Sequence, residues 1–189
     1  MFIRNYESCM SVTNVAAGLI LVLALMLGLV ACSSKLDQYS DSFNPVLQKH
    51  LDLYTVDFAE VLSEAEEAGN ALNRSTNPNA AEAMAIINQL NKKLDNINEA
   101  LAAVNREWLV LDPPKEAQRF HELVLEMMQV RLQSVEQTLN AYTLFEAGQI
   151  ELTMTGLQKA YDLHDEADLL FTRVLAEGRT LGNIEITRE

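Results

Sequence analysis

The fold class can be inferred from the segment LNKKLDNINEALAAVNREW, residues 90–108. Its large apolar side chains stand at positions 90, 94, 97, 101, 104 and 108, at alternating steps of four and three residues. This spacing places them along one face of an α-helix, whereas a half-buried strand would need an apolar residue at every second position. The segment therefore predicts a long amphipathic helix with one buried face.

The same spacing recurs in the rest of the chain, over residues 47–68, 83–108, 125–142 and 150–175. No window has the alternation typical of a strand. Long helices joined by short connections favour antiparallel neighbours. The sequence thus predicts an all-α fold, an up-down-up-down antiparallel four-helix bundle over residues 45–178, followed by a frayed C-terminal tail over residues 179–189.

Prolines and glycines mark where these helices should begin and end. An N-cap residue before a proline is typical of a helix start, and a glycine of a helix end. The predicted starts are Asn44-Pro45, Asn77-Pro78 and Asp112-Pro113, and the predicted ends are Gly69, Gly148 and Gly178. With Gly148 as the hinge of an antiparallel hairpin, facing residue numbers sum to about 296, which places His164 beside Leu132.

The turn Ala147-Gly148-Gln149 resembles the tight turn of a tetratricopeptide hairpin. The predicted helices, however, are about twice as long as a repeat of about 34 residues allows, and the pattern has no convincing second copy. A repeat protein is therefore disfavoured.

The N-terminal region has the features of a secretion signal. An uncharged apolar run over residues 15–30 is followed by Cys32 and two serines, and a small residue, Ala31, precedes the cysteine. The run is short for a membrane span, which needs about 20 apolar residues. The motif Leu29-Val30-Ala31-Cys32 resembles the cleavage site of bacterial lipoprotein precursors.

The resemblance implies a signal peptide over residues 1–31, cleavage between Ala31 and Cys32, and a diacylglycerol on Cys32. An uncleaved N-terminal anchor is the alternative, and both interpretations place the remaining chain outside the cytoplasm. Ser33 is not the aspartate that, by resemblance, retains lipoproteins at the inner membrane. This favours the periplasmic face of the outer membrane in a diderm, or the outer face of the cytoplasmic membrane in a monoderm.

Residues 33–44 are rich in Ser and Asp. They predict a flexible linker, so that residues 32–44 would comprise the lipidated cysteine and a tether that lets the bundle stand away from the bilayer. Cys9 would leave with the signal peptide and Cys32 would carry the lipid. No thiol then remains for a disulfide, and packing must stabilise the domain.

The chain is acidic, with a formal charge of −13 and a pI of about 4.6. This charge argues against binding to nucleic acid and against electrostatic adhesion to anionic lipid headgroups. The membrane would therefore be a partner through the lipid anchor alone, because the acidic protein surface would not bind it.

Three histidines are the candidates for acid-base or metal chemistry, since only histidine titrates near neutrality without perturbation. The hairpin register separates His121 from His164 by about 16 Å along the bundle. His50 and His121 would instead lie at similar depth in parallel helices, near Trp108. These three residues form the predicted ligand site.

Specific cofactor motifs do not accompany these histidines. A di-iron bundle needs Glu-x-x-His, but Gln118 and Tyr161 stand three residues before His121 and His164. No catalytic residues, metal ligands or cofactors are predicted, apart from the covalent diacylglycerol on Cys32. A noncovalent haem held by a histidine and a methionine stays an alternative.

Other polar and apolar clusters have two interpretations each. Asn91, Asn98 and Asn105, spaced by seven residues, predict either a polar ladder facing a partner or a solvated flank. The acidic cluster Asp162, Asp165, Glu166 and Asp168 fits a solvated helix face better than a calcium loop. Met127, Met128 and the aromatics Phe58, Tyr142, Phe145 and Phe171 fit core packing better than a cofactor site.

These observations favour a lipid-anchored, non-catalytic helical bundle with an interaction or envelope-associated role. Its partner would be an unknown envelope protein, and long helical seams could also pair two copies as a homodimer. The alternative is a membrane-tethered bundle that binds a small ligand, a metal or haem. An enzyme is the third hypothesis, because no set of nucleophile, base and orienting residue can be assembled.

Overall fold

The structure, a computed structural model, describes residues 35–74 and 80–181, which form four long helices and no strand. Helix α1 covers residues 35–52, a π-helical segment Leu53–Phe58 and a further α-helical part Ala59–Arg74. Helix α2 spans Ala80–Leu109, α3 spans Gln118–Glu146 and α4 spans Ile150–Thr180, with a 3₁₀ turn Lys115–Ala117 before α3. The predicted all-α four-helix bundle is confirmed.

Contacts between helices fix their directions. Lys49 of α1 pairs with Glu107 near the end of α2, and Glu64, farther along α1, pairs with Lys93, earlier in α2. Helices α1 and α2 are therefore antiparallel. None of the helices within residues 35–74 and 80–181 is long and apolar enough to cross a membrane.

Helices α3 and α4 form the predicted hairpin. The Ser134 hydroxyl of α3 donates to the Ala160 carbonyl of α4. A Cβ atom built on Gly156 would lie 3.1 Å from the Cβ of Ala141. The residue numbers in both pairs sum to nearly the predicted value of about 296, so the predicted register is confirmed.

The start of the bundle was predicted wrongly. Residues 35–44, expected to be a flexible linker, are helical, and Tyr39 and Phe43 are buried in the core. Leu36, Tyr39, Phe43 and Leu47 follow the helical spacing of three and four, but Ser and Asp residues between them hide the pattern. The signal peptide over residues 1–31 and Cys32 lie outside the described residues.

Pro45 consequently lies inside α1, where it removes one backbone hydrogen bond. Pro45 and Asp41, whose carbonyl loses that donor, are both exposed, so water can solvate the free carbonyl. Burial of Tyr39 and Phe43 on the opposite face offsets the cost of the proline.

The other helix boundaries are partly as predicted. Gly148 adopts a positive φ of 74° in the α3–α4 turn, as expected of a helix end. Gly69 and Gly178, in contrast, lie inside helices, and Gly178 is buried. Helix α3 begins at Gln118, after the 3₁₀ turn, not at Asp112-Pro113. Asn77-Pro78 and residues 182–189 lie outside the described residues, while Arg179 and Thr180 belong to α4 and not to a frayed tail.

The turn at Gly148 provides a test of backbone strain. Replacing Gly148 by Ala is expected to reduce the free energy of unfolding by about 1 kcal/mol, because an L-residue with a positive φ is strained. A Cβ atom there would meet no atom within 4 Å, so the effect isolates the backbone. Urea denaturation measures it. The control Gln149→Ala, at an exposed neighbour with φ −92°, should stay within about 0.5 kcal/mol of the wild type, and an equal loss in both variants would contradict the explanation.

Candidate functional site

Two of the three predicted site residues lie together. The rings of Trp108 and His121 stack with centroids 5.1 Å apart and an interplanar angle of 19°. The Trp108 indole N–H donates to the carbonyl of His121 over 3.2 Å. The hydroxyl of Tyr39 is hydrogen-bonded to Nδ1 of His121 over 2.8 Å. Burial lowers the pKa of His121, while the Glu122 carboxylate acts in the opposite direction.

His50 does not join this pair, which corrects the prediction. Tyr39, which contacts His121, precedes His50 by eleven residues, or about 16 Å along α1. The prediction failed because α1 begins by residue 35 and not at residue 45, so its register against α3 is displaced. His50 and His121 therefore cannot hold one ligand atom between them.

His50 instead lies in a buried polar layer at the middle of the bundle. It precedes Tyr54 by one turn, and the guanidinium of Arg131 lies 4.6 Å from the centroid of the Tyr54 ring. Asn105 lies at the same level, since its amide donates to the carbonyl of Met128, three residues before Arg131. This layer separates two apolar clusters of the core.

The environment of His50 strongly disfavours its charged form. The side chain is fully buried, and no described residue hydrogen-bonds to Nδ1 or Nε2. Burial lowers the pKa of His50 to about 3, and the positive charge of Arg131 contributes to the shift. His50 is therefore a neutral imidazole at physiological pH.

Two residues of the asparagine ladder, Asn91 and Asn105, contact α3 of the same chain. Asn105 is buried, and its amide donates to the Met128 carbonyl over 3.2 Å. The amide of Asn91 donates to the Glu146 carboxylate. The interpretation of the ladder as a solvated flank is therefore wrong for Asn105. The four residues of the acidic cluster, in contrast, are all exposed as predicted.

A large cavity lies between all four helices, beyond the polar layer. Its volume is about 770 Å³. The lining is mainly apolar and includes Phe58, Leu62, Ile86, Leu90, Tyr142 and Leu157. The cavity is also lined by three exposed apolar side chains from the first half of α4: Ile150, Met154 and Tyr161. We refer to this space as the wide cleft.

A smaller cavity of about 500 Å³ lies beside the wide cleft, and the two share Phe58, Ala59, Leu62 and His164. Its lining also includes the buried Arg131 and the exposed Asp168. This cavity therefore has a cation at its inner end and a carboxylate near solvent.

Arg131 is 1% exposed and lies between two aromatic rings. The centroids of Tyr54 and Phe171 are 4.6 and 5.1 Å from its guanidinium carbon. The Tyr54 hydroxyl is hydrogen-bonded to Nδ1 of His164 over 2.8 Å, and the two rings stack with centroids 5.6 Å apart. Burial is the main cause that raises the pKa of Tyr54. Cation–π contacts and stacking thus fix one wall of the smaller cavity.

The π-helical segment Leu53–Phe58 lies against both cavities. Such a segment adds a residue to a helical turn and is often found at functional sites. Phe58 at its end is buried in the core and lines both spaces. The π-helical turn therefore helps to set the shape of the shared wall.

The sequence pattern did not predict these cavities. Phe58, Tyr142, Phe145 and Phe171 were interpreted as core packing, and Phe58 and Phe171 are indeed buried. Tyr142 and Phe145 are only half-buried and line the wide cleft. The available signal was a set of small residues on otherwise large apolar faces, among them Ala65, Ala68 and Ala160.

Within residues 35–74 and 80–181, no group of three or more His, Cys, Asp or Glu side chains is arranged to hold a metal ion. Comparison with known proteins finds no matching family model, no matching curated protein and no matching solved structure.

Proposed function

We propose that the chain is a lipid-anchored, extracytoplasmic binding protein without catalytic activity, which holds a small, mostly apolar molecule between its four helices. The observation that carries this proposal is the wide cleft. Its volume of about 770 Å³ falls in the range of about 300–1,000 Å³ typical of small-molecule sites. The ligand site is thus proposed near Phe58 and His164, away from Trp108 and His121.

The chemistry of the wide cleft supports an apolar ligand. Aliphatic and aromatic side chains supply most of its wall, and Met154 and Tyr161 keep large apolar surfaces exposed along it. Exposed apolar side chains that border a cavity are typical of an interaction site. A molecule entering between them would bury these side chains together with its own apolar surface.

Three of the hydroxyl groups that line the wide cleft, on Ser134, Thr138 and Thr153, support binding over catalysis. Ser134 donates to the Ala160 carbonyl, Thr138 to the Ser134 carbonyl and Thr153 to the Gln149 carbonyl, over 2.9–3.0 Å. A nucleophilic hydroxyl needs a general base within hydrogen-bond reach. Because these protons are directed to backbone carbonyls, the hydroxyls are engaged as structural groups.

The anchor rests on the sequence motif at Cys32. Two or three acyl chains hold a protein stably on a membrane, whereas a single chain binds only marginally. The acidic composition, with a formal charge of −13, gives no electrostatic attraction to anionic headgroups. The lipid would therefore determine where the binding domain acts.

Replacing Ala65 by Trp is expected to weaken binding of N-phenyl-1-naphthylamine, an uncharged fluorescent probe, by about tenfold or more. Ala65 is half-buried and lines the wide cleft, so the indole ring can project into the space that the probe needs. Ala102 is also half-buried but lines neither cavity, and Ala102→Trp is the matched control. Fluorescence titration of both variants measures the affinities.

The proposal predicts that only the Ala65 variant loses affinity. It fails if the wild-type protein does not bind the probe, or if both variants bind as the wild type does. If only the Ala65 variant loses affinity, mass spectrometry of organic extracts from the protein purified out of membranes would identify the natural ligand.

A further inference from the structure

The four helix ends nearest to Cys32 form one end of the bundle, which we call the proximal end. The first described residues of α1 lie there, and because α2 is antiparallel to α1, the end of α2 at Leu109 lies there as well. The connection to α3 and the end of α4 complete it, and Leu111 and Leu181 pack against the apolar cluster at this end. The proximal end is thus defined by Lys35, residues 109–117 and residues 178–181.

The length of chain before Lys35 limits the distance to the lipid. Cys32 precedes Lys35 by three residues. Three residues can span at most about 11 Å. With a linker of twelve residues the bundle could turn freely above the membrane, but helix α1 already occupies residues 35–44. A lipid on Cys32 therefore brings the proximal end close to the bilayer.

Two apolar side chains are exposed at the proximal end. Val110 is 82% exposed and Leu109 is 56% exposed, next to each other at the end of α2. Neither position is needed to close the core, because Trp108 before them and Leu111 after them supply the contacts with the apolar cluster. Aliphatic side chains beside an acyl anchor can enter the lipid interface and bury this surface.

The proximal end carries less negative charge than the rest of the chain, and it is therefore better suited to a membrane surface. Over Lys35, residues 109–117 and residues 178–181 it has three basic and two acidic side chains, although the whole chain carries −13. Most of the negative charge therefore lies farther from Lys35. Because anionic headgroups repel acidic side chains within about 10 Å, this distribution favours the proximal end at the bilayer.

We infer that the bundle stands on the bilayer on its proximal end, with Leu109 and Val110 inserted into the lipid interface. This inference rests on the proposed lipid anchor at Cys32. Ala65, at the wide cleft, follows Lys35 by thirty residues, or about 45 Å along α1. The wide cleft consequently opens far from the membrane surface, and its ligand arrives through the aqueous space.

The test places a fluorophore at each end of the bundle. Val110→Cys marks the proximal end, and Leu152→Cys, at a residue 54% exposed near the α3–α4 turn, is the matched control. In the lipidated protein, produced from the full chain in a bacterial host, the introduced thiol is the single free cysteine. The labelled proteins are reconstituted in phosphatidylethanolamine and phosphatidylglycerol vesicles that contain nitroxide-bearing lipids.

We expect the lipid nitroxides to quench most of the fluorescence at position 110 and little at position 152, with a blue-shifted emission at position 110 alone. The same label at position 110 in a leaderless Cys32→Ser variant should not be quenched. Since both labelled positions are exposed, neither variant should perturb folding.

The outcomes separate the inference from the proposed anchor. If the protein floats with the vesicles but position 110 is not quenched, or position 152 is quenched more, the inference is wrong and the anchor stands. If the protein does not float and its mass shows an unmodified Cys32, the anchor fails and the inference fails with it.

Discussion

Replacing Phe43 by Ala should reduce the free energy of unfolding by about 3–5 kcal/mol. Phe43 is 0% exposed, and its ring lies 5.8 Å from Trp108 and 5.1 Å from Phe120, between centroids. Truncation would remove aromatic contacts from three helices at once and leave a cavity that this close-packed region can fill only in part. Urea denaturation followed by circular dichroism would measure the change.

The control for this prediction is Ser42→Ala, one residue earlier on the exposed face of α1. Ser42 donates to the Gln38 carbonyl within the helix, so its loss should change stability by no more than about 0.5 kcal/mol. If residues 33–44 were a flexible linker, both substitutions would be silent. A Phe43 variant with an unchanged free energy of unfolding would therefore support the flexible linker and contradict the short connection between lipid and bundle.

The periodicity of the sequence was sufficient to predict the architecture, but it was not sufficient to predict the start of α1. The apolar residues of α2 recur without interruption, and the position of Gly148 was sufficient to predict the register between α3 and α4. At the start of α1, Pro45 and the preceding Asn44 form a strong helix-start signal. Tertiary burial of Tyr39 and Phe43 overrides this local preference, and a single sequence does not report tertiary burial.

To predict the candidate site, one needs to know where α1 begins and how much volume the helices leave empty between them. A shift of about ten residues in the start of α1 moves His50 from the level of His121 to that of Arg131. The only local signal for this shift is the apolar spacing of Leu36, Tyr39 and Phe43, which the Ser and Asp residues between them obscure. Small side chains such as Ala65 of α1 and Ala160 of α4 line the wide cleft and leave space between the helices. Volume left between helices is a property of their packing, which periodicity does not encode.

Replacing His50 by Leu is expected to abolish a large part of the loss of stability in acid. The pKa of His50 is lowered from 6.5 to about 3 in the folded protein. Below pH 6.5 the unfolded chain therefore binds a proton that the folded chain does not, and stability falls as the pH falls towards 3. Between pH 7.5 and pH 5 this amounts to about 2 kcal/mol, which the Leu variant should not lose.

The comparison of variant and wild type isolates His50, because His121, His164 and the carboxylates are common to both. At pH 7.5 the Leu variant should be at least as stable as the wild type, since it removes two ring nitrogens for which no described residue supplies a hydrogen bond. Leu47→Met, one turn earlier in the core, changes packing without removing an ionisable group and should keep the wild-type pH dependence. Urea titrations at both pH values measure the difference. Parallel pH profiles for wild type and His50→Leu would mean that the imidazole is hydrated or charged in the folded protein, and the buried polar layer would then contain water at His50.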